Sequence, residues 1–162
     1  MVTATRRTTL TALAMLLATA PLNAQAVASI DRPQFIRVVA KDYVFDAPQN
    51  VQSGIATIHL VNQGTDLHHV VVQELPNGRT IKEFFDATRA AGVPPSWSRT
   101  LAQSTAIASG GEAFLAFRMP PGRYILSCLL PAADGRSHIA KGMYQVITAT
   151  VAGGPAPAAR RP

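Results

Sequence analysis

Short apolar segments separated by turn-forming residues run along most of the chain, and this spacing restricts the fold more than any other feature. Segments rich in Phe, Ile, Val and Tyr are typical of strands. Turns such as Asn62-Gln63-Gly64 and Pro120-Pro121-Gly122 separate them, because Asn, Pro and Gly favour turn conformations. The pattern predicts an all-β, antiparallel β-sandwich, with strands over 33–45, 57–61, 68–75, 112–119, 123–128 and 143–151.

One segment departs from the strand pattern. Ile81, Phe84 and Phe85 recur near helical spacing between Thr80 and Ala91. Thr80 followed by Glu83 is typical of a capping box, in which each residue satisfies a backbone amide of the other. We therefore predict one short helix inserted between strands, packing on the sandwich through Phe84 and Phe85.

The two ends of the chain differ from the middle. Residues 1–26 combine Arg6 and Arg7, a mostly apolar run over 10–22 and a small-residue cleavage site, which indicates an export signal peptide. A retained anchor is the alternative, although the apolar run is short and interrupted. The folded domain is expected over 30–151, and the Gly/Pro/Ala-rich segment 152–162 is expected to be a disordered tail. Export predicts a periplasmic or secreted protein.

Charge argues against one class of function. The formal net charge of +6 includes Arg6 and Arg7 in the leader and Arg160 and Arg161 at the end of the tail. The folded part is therefore only weakly basic, and it has no basic run with interleaved aromatic residues. Nucleic acid is not an expected partner.

The segment from Gly122 to Tyr144 carries the chemistry. It contains Cys128, the only cysteine in the chain, followed by His138 and Met143. A thiolate, an imidazole and a thioether suit copper more than zinc or calcium. The set lacks one nitrogen donor, which His68 or His69 could supply from the start of an apolar run. Residues adjacent in a strand point to opposite faces, so only one of these two histidines should reach the site.

These residues resemble the small blue copper proteins, the cupredoxin family that includes plastocyanin and azurin. The resemblance rests on Gly122-Arg123-Tyr124 before Cys128, on His138 and Gly142-Met143 after it, and on the segments Tyr43-Val44-Phe45 and Asn62-Gln63-Gly64 with His68-His69-Val70. It implies a Greek-key topology and one type 1 copper bound by His68, Cys128, His138 and Met143. It also implies single-electron transfer to a redox protein partner in the periplasm, by a monomer with no membrane span after signal cleavage.

The loop between Cys128 and His138 is longer than the resemblance requires. Nine residues lie between these two positions, and Ala132 to Arg136 is predicted to form an exposed turn. Exposed loops often carry recognition. We expect this loop to extend beside the copper and to help dock a redox partner near His138, taken as the ligand that faces solvent.

Other functions remain open at this point. A copper-handling or metal-free binding module could use the same fold, with the long loop leaving the site too open for fast redox work. A hydrolase would need Cys128 activated by a base and a third orienting group, and no candidate for that group is evident. A multicopper oxidase would need His-x-His pairs, which the sequence lacks. We do not expect an enzyme.

Overall fold

The computed structural model describes residues 33–91 and 93–151, apart from the side chain of Ala90. Within these residues nine strands form two sheets, and one α-helix lies between the fifth and sixth strands. The strands are β1 (Gln34–Lys41), β2 (Val44–Asp46), β3 (Asn50–Gln52), β4 (Gly54–Asn62), β5 (Val71–Glu74), β6 (Thr100–Gln103), β7 (Glu112–Met119), β8 (Gly122–Ser127) and β9 (Tyr144–Thr150). The predicted signal peptide (1–26) and tail (152–162) lie outside the described residues.

The two sheets have the strand orders β2-β1-β4-β7 and β3-β9-β8-β5-β6. Their facing sides share one apolar core, to which Ile36, Ile58, Leu115, Leu126 and Ile147 contribute. The prediction of an all-β sandwich is confirmed. Two pairs, β1 with β4 and β3 with β9, are parallel. The sheets are therefore mixed rather than purely antiparallel, because the chain crosses between the sheets before it returns to pair.

Strand β8 is buried on both faces. Its alternate residues Tyr124 and Leu126 join Cys128 in the core between the sheets, whereas Ile125 packs on the opposite side. This alternation is the expected geometry of a strand, in which residues two apart share a face. It places Cys128, the residue that follows β8, in the core between the sheets.

The α-helix α1 (Ile81–Ala91) covers that opposite side. Phe84 is fully buried there in a second apolar cluster with Leu75, Ile125 and Ile139. The capping box is present, since the Thr80 amide donates to Glu83 (2.7 Å) and the Glu83 amide donates to the Thr80 hydroxyl (3.1 Å). The helix prediction is confirmed, including its packing through Phe84.

Two strand predictions need correction. The strand expected over 33–45 is divided into β1 and β2 by a turn at Asp42 and Tyr43. The strand expected to open at His68 begins at Val71, and His68 makes only an isolated bridge to Ile107. The periodicity of the sequence does not indicate either interruption, because both place side chains in contacts outside the strand ladders. Strands β3 and β6 are both absent from the strands predicted from the sequence.

Over residues 33–91 and 93–151, no helix has the length and apolar character needed to cross a bilayer.

A first prediction concerns the packing of α1. Phe84 is fully buried, whereas Phe35 on β1 is 75% exposed. Phe84→Ala leaves a cavity, so it should lower the free energy of unfolding by about 3–5 kcal/mol. The matched change Phe35→Ala should shift it by less than about 0.5 kcal/mol. Urea denaturation measures both, and equal losses would show that α1 does not hold the second cluster together.

Candidate metal centre

Three soft or nitrogen donors meet in the interior at one end of the sandwich. His68, Cys128 and His138 are all buried, and their donor atoms lie within 4.8 Å of one another. The Nδ1 atoms of the two histidines are 3.1 Å apart, and Cys128 Sγ is 3.4 Å from His138 Nδ1. The cluster therefore has its histidine Nδ1 atoms turned inward.

Strand pairing brings these residues together. Strands β5 and β8 are antiparallel, with Val71 opposite Ser127 at the end of the ladder. The residues just outside this ladder, His68 to Val70 on one strand and Cys128 on the other, consequently lie at the same edge. The backbone then turns through a short 3-10 helix, His138–Lys141, which returns the second histidine to Cys128.

Backbone hydrogen bonds fix that return. The amide of Ile139 donates to the Cys128 carbonyl (2.8 Å), and the amide of Cys128 donates to the Met143 carbonyl (3.2 Å). The amide of Met143 in turn donates to the His138 carbonyl (2.9 Å). Cys128, His138 and Met143 are thus held by one another's main chain, and Met143 is fully buried in the same core cluster.

The outer nitrogen of His68 is also held. Its Nε2 lies 2.7 Å from Asp42 Oδ1, and the imidazole is fully buried. An Nε2–H donated to this carboxylate fixes the ring orientation and leaves Nδ1 as the inward acceptor. Burial acts to raise the pKa of the Asp42 carboxyl. Hydrogen bonds from Thr65, His68 and Asp66 outweigh that effect and hold the pKa well below its usual value.

A turn over 62–66 supports Asp42. The buried Asn62 amide donates to the carbonyls of Asp66 (2.8 Å) and Ile107 (3.0 Å), and its oxygen accepts from the Gly64 amide (2.8 Å). Gly64 passes so close that a Cβ there would overlap Asp42 Oδ1 and lie 2.7 Å from His68 Nε2. Only glycine leaves room for the contact between Asp42 and His68.

His138 has a different outer environment. Its Nε2 is buried without a hydrogen-bond partner, and the nearest carboxylate oxygen, Asp66 Oδ2, is 3.8 Å away. The ring is 1% exposed and packs edge-on against Tyr43, with ring centroids 4.9 Å apart. Burial lowers the pKa of His138, which favours the neutral imidazole that a metal needs. The expectation that His138 faces solvent is wrong, because its side chain is buried.

His69 lies outside the cluster. Its Nε2 accepts a hydrogen bond from the Leu129 amide (2.9 Å), so the ring supports the backbone next to Cys128. The structure therefore brings His68, Cys128 and His138 together and leaves His69 in a supporting position.

Sequence reasoning missed Asp42, Tyr43, Gly64 and Asp66 as parts of the site. A signal was present for Asp42, since a charged residue interrupts the apolar alternation of the first predicted strand. No sequence signal connects Tyr43 with His138, because their contact depends on how two distant turns meet.

The long loop before His138 is closed on itself. Pro131 and Ser137 form an antiparallel bridge, and the Ala132 amide donates to the Arg136 carbonyl (2.8 Å). The exposed turn predicted over Ala132 to Arg136 is present over 133–136, whereas Ala132 is buried. Because all three donors are buried, the idea that the loop leaves the site open is wrong.

The donor set fits a metal ion. Imidazole nitrogen and thiolate sulfur bind such ions at about 2.0 and 2.3 Å, so donors to one ion lie about 3–4 Å apart. The contacts of 3.1 and 3.4 Å match that separation. Two facing Nδ1 atoms can share only one proton, and burial raises the pKa of the Cys128 thiol. A cation would satisfy all three atoms together and displace the thiol proton.

The two imidazoles and the thiolate buried at one end of the β-sandwich form a cluster that can bind a metal ion. Comparison with solved structures identifies the fold. Auracyanin from Roseiflexus castenholzii matches with a TM-score of 0.51 at 21% identity, over 71% of this chain and 95% of that chain. Auracyanin A from Chloroflexus aurantiacus, a "blue" copper protein, matches with a TM-score of 0.52 at 18% identity, over 73% and 99%.

Reduced rusticyanin shares the fold as well, with a TM-score of 0.50 at 12% identity over 72% of this chain and 79% of that chain. The chain thus has the fold of the cupredoxins. No protein-family model matches the sequence, and no curated protein sequence matches it.

Gly64 provides a test of the support around His68. Gly64→Ala should displace Asp42 from His68 because the new methyl group occupies their contact. Loss of such a supporting carboxylate lowers metal affinity by about 10–100-fold. Gly122→Ala is the control, since a Cβ there meets nothing closer than 3.6 Å. Competition titration with a chelator measures both affinities, and unchanged affinity in Gly64→Ala would remove Asp42 from the site.

Proposed function

We propose that the protein is an exported carrier of single electrons that holds one type 1 copper through His68, Cys128, His138 and Met143. The observation that supports this most is the burial of the two imidazoles and the thiolate within 4.8 Å of one another, on a fold shared with auracyanin.

Copper fits this donor set better than other common metals. Two imidazoles and one thiolate with a weak axial thioether form the ligand set of blue copper sites. Structural zinc takes four Cys, His or carboxylate ligands, and the cluster offers three. Calcium and magnesium require oxygen donors. Met143 is fully buried, and its backbone is hydrogen-bonded to both Cys128 and His138, which supports it as the fourth donor.

The scaffold suits electron transfer because it holds the donors before any metal arrives. Bound copper would supply a one-electron couple. Cys128 is held by backbone hydrogen bonds with Met143 and Ile139, and His68 by its bridge to Ile107 and its contact with Asp42. Donors positioned by packing and by supporting hydrogen bonds move little when the charge at the centre changes. Burial of all three donors keeps water out of the site.

Location and partner follow from the sequence. The leader over 1–26 supports export to the periplasm or beyond. We infer that the partner is a redox protein of that compartment. The alternative, a copper-handling protein, assumed an open site, and the burial of the donors disfavours it. A copper-loaded protein that cannot be repeatedly reduced and reoxidised would favour this alternative.

The colour of the loaded protein tests the proposal. Copper-loaded, oxidised protein should be blue, because Cys128 is the only thiolate available for a charge-transfer band. Cys128→Ala and Cys128→Ser should both lose the visible band while circular dichroism shows the same β-sandwich. Repeated reduction and reoxidation should bleach and restore the wild-type colour. A colourless wild type under copper-replete, oxidising conditions would end the electron-transfer proposal.

The two adjacent histidines give a second test. His68→Ala should abolish the blue band, because it removes an inward Nδ1 donor. His69→Ala should keep the band and lower the free energy of unfolding by roughly 1 kcal/mol, since it removes the acceptor of the Leu129 amide. Absorption spectra and urea denaturation measure the two effects. The opposite pattern would place the ligand one residue further along the chain.

A further inference from the structure

The half-buried side chain of Tyr43 packs against the buried ring of His138. Its ring meets the His138 ring edge-on, at 4.9 Å between centroids and 62° between planes. His138 itself is 1% exposed, whereas Tyr43 is half-buried. Any reagent that approaches His138 from the Tyr43 side therefore meets the phenol ring first.

Two groups hold Tyr43 in this position. Its hydroxyl donates a hydrogen bond to Asp66 Oδ2 (2.8 Å), the same oxygen that lies 3.8 Å from His138 Nε2. The ammonium group of Lys141 lies over the ring, 4.5 Å from its centroid. A cation over an aromatic ring is attracted to its face, so the ring is fixed at its hydroxyl and on one side.

The long loop supplies the last contact. Lys141 Nζ is 2.8 Å from Asp134 Oδ2, and Asp134 belongs to the segment between Cys128 and His138. Asp134 also accepts a hydrogen bond from the Arg136 amide (3.1 Å), which fixes the carboxylate within the turn. The loop between Cys128 and His138 is longer than coordination requires. Through Asp134 and Lys141, this loop contacts the Tyr43 ring that packs against His138.

We propose that Tyr43 controls access to the metal site, and that an external redox partner exchanges its electron with the site across the Tyr43 ring rather than at a bare imidazole. Asp66 on one side, and Lys141 with Asp134 on the other, hold this cover closed. The second half of the proposal rests on the proposed function. One electron passes from the partner to the bound metal, or back, while the phenol is neither oxidised nor deprotonated.

The cover can be tested on the metal-free protein. Diethyl pyrocarbonate acylates accessible imidazole nitrogens, and peptide mass spectrometry locates the product. Of the four histidines, His59 has a side chain that is 26% exposed, whereas His68, His69 and His138 are buried. In the wild type, His59 should react and His138 should stay protected. Tyr43→Ala should make His138 react at a rate comparable with His59. Tyr43→Phe keeps the ring but loses the hydrogen bond to Asp66, so His138 should react there far more slowly than in Tyr43→Ala.

A surface variant guards against loss of folding in Tyr43→Ala. Lys141→Met removes the cation over the ring and its bond to Asp134, so modification of His138 should become several-fold faster than in the wild type. Lys82→Met is the control, because Lys82 makes a similar ion pair with Asp86 on α1, away from the site. If His138 reacts readily in the wild type, or stays protected in folded Tyr43→Ala and in Lys141→Met, Tyr43 is not its cover.

The copper-loaded protein tests the second half. Oxidation of the reduced protein by a small inorganic complex should become several-fold faster in Tyr43→Ala, because the reagent then reaches His138 directly. It should rise much less in Tyr43→Phe, which keeps the ring. The wild type, Tyr43→Ala and Tyr43→Phe could be oxidised at equal rates even though metal-free Tyr43→Ala alone exposes His138 to modification. That result would refute electron exchange across the Tyr43 ring. A protein that takes up no copper would refute the proposed function, and the modification experiment would still decide whether Tyr43 is the cover.

Discussion

The antiparallel pairing of β5 with β8 is the constraint on which the metal centre depends. It sets Val71 opposite Ser127, so His68 and Cys128, which are 60 positions apart in sequence, reach one edge of the sheet. Side chains alternate along a strand, and a slip of one residue would turn Cys128 away from the core. Burial of β8 on both faces makes such a slip costly, because Ile125 would have to leave the cluster beneath α1 for the core between the sheets. The packing of an apolar strand thus positions the thiolate.

Burying three donors that carry no metal would be unfavourable without support from outside the cluster. A polar group taken from water costs free energy unless it finds a partner. His68 finds Asp42, and Asp42 in turn accepts from Thr65 and Asp66 in the turn that Asn62 organises. His138 Nε2 has no such partner. The two imidazoles are therefore unequal: one is fixed by a carboxylate, and the other is held by its own 3-10 turn and by the Tyr43 ring.

Much of this arrangement could be predicted from the sequence, and the remainder could not, for identifiable reasons. The β-sandwich, α1 with its capping box and the order of Cys128, His138 and Met143 follow from local patterns that are visible in the sequence. The parallel pairs and β6 do not, since pairing between distant strands leaves no local mark. Asp42 and Tyr43 lie within a segment whose pattern predicts one continuous strand. The turn that divides this segment places Asp42 next to His68 and Tyr43 next to His138. Their contacts with His68 and His138 depend on the packing of turns that are distant in sequence.

The length of the loop before His138 has a physical explanation in these contacts. Extra loop residues cost little in closure entropy, but a flexible loop over the cluster of His68, Cys128 and His138 would admit water and make the positions of the donors less well defined. Here the loop pairs with itself at Pro131 and Ser137 and binds Lys141 through Asp134. Lys141 ends the same 3-10 helix that begins with His138, so the loop, the histidine and the Tyr43 ring form one connected unit. A shorter loop could join Cys128 to His138, but it would leave Lys141 without Asp134 and the Tyr43 ring without a fixed cation on its face.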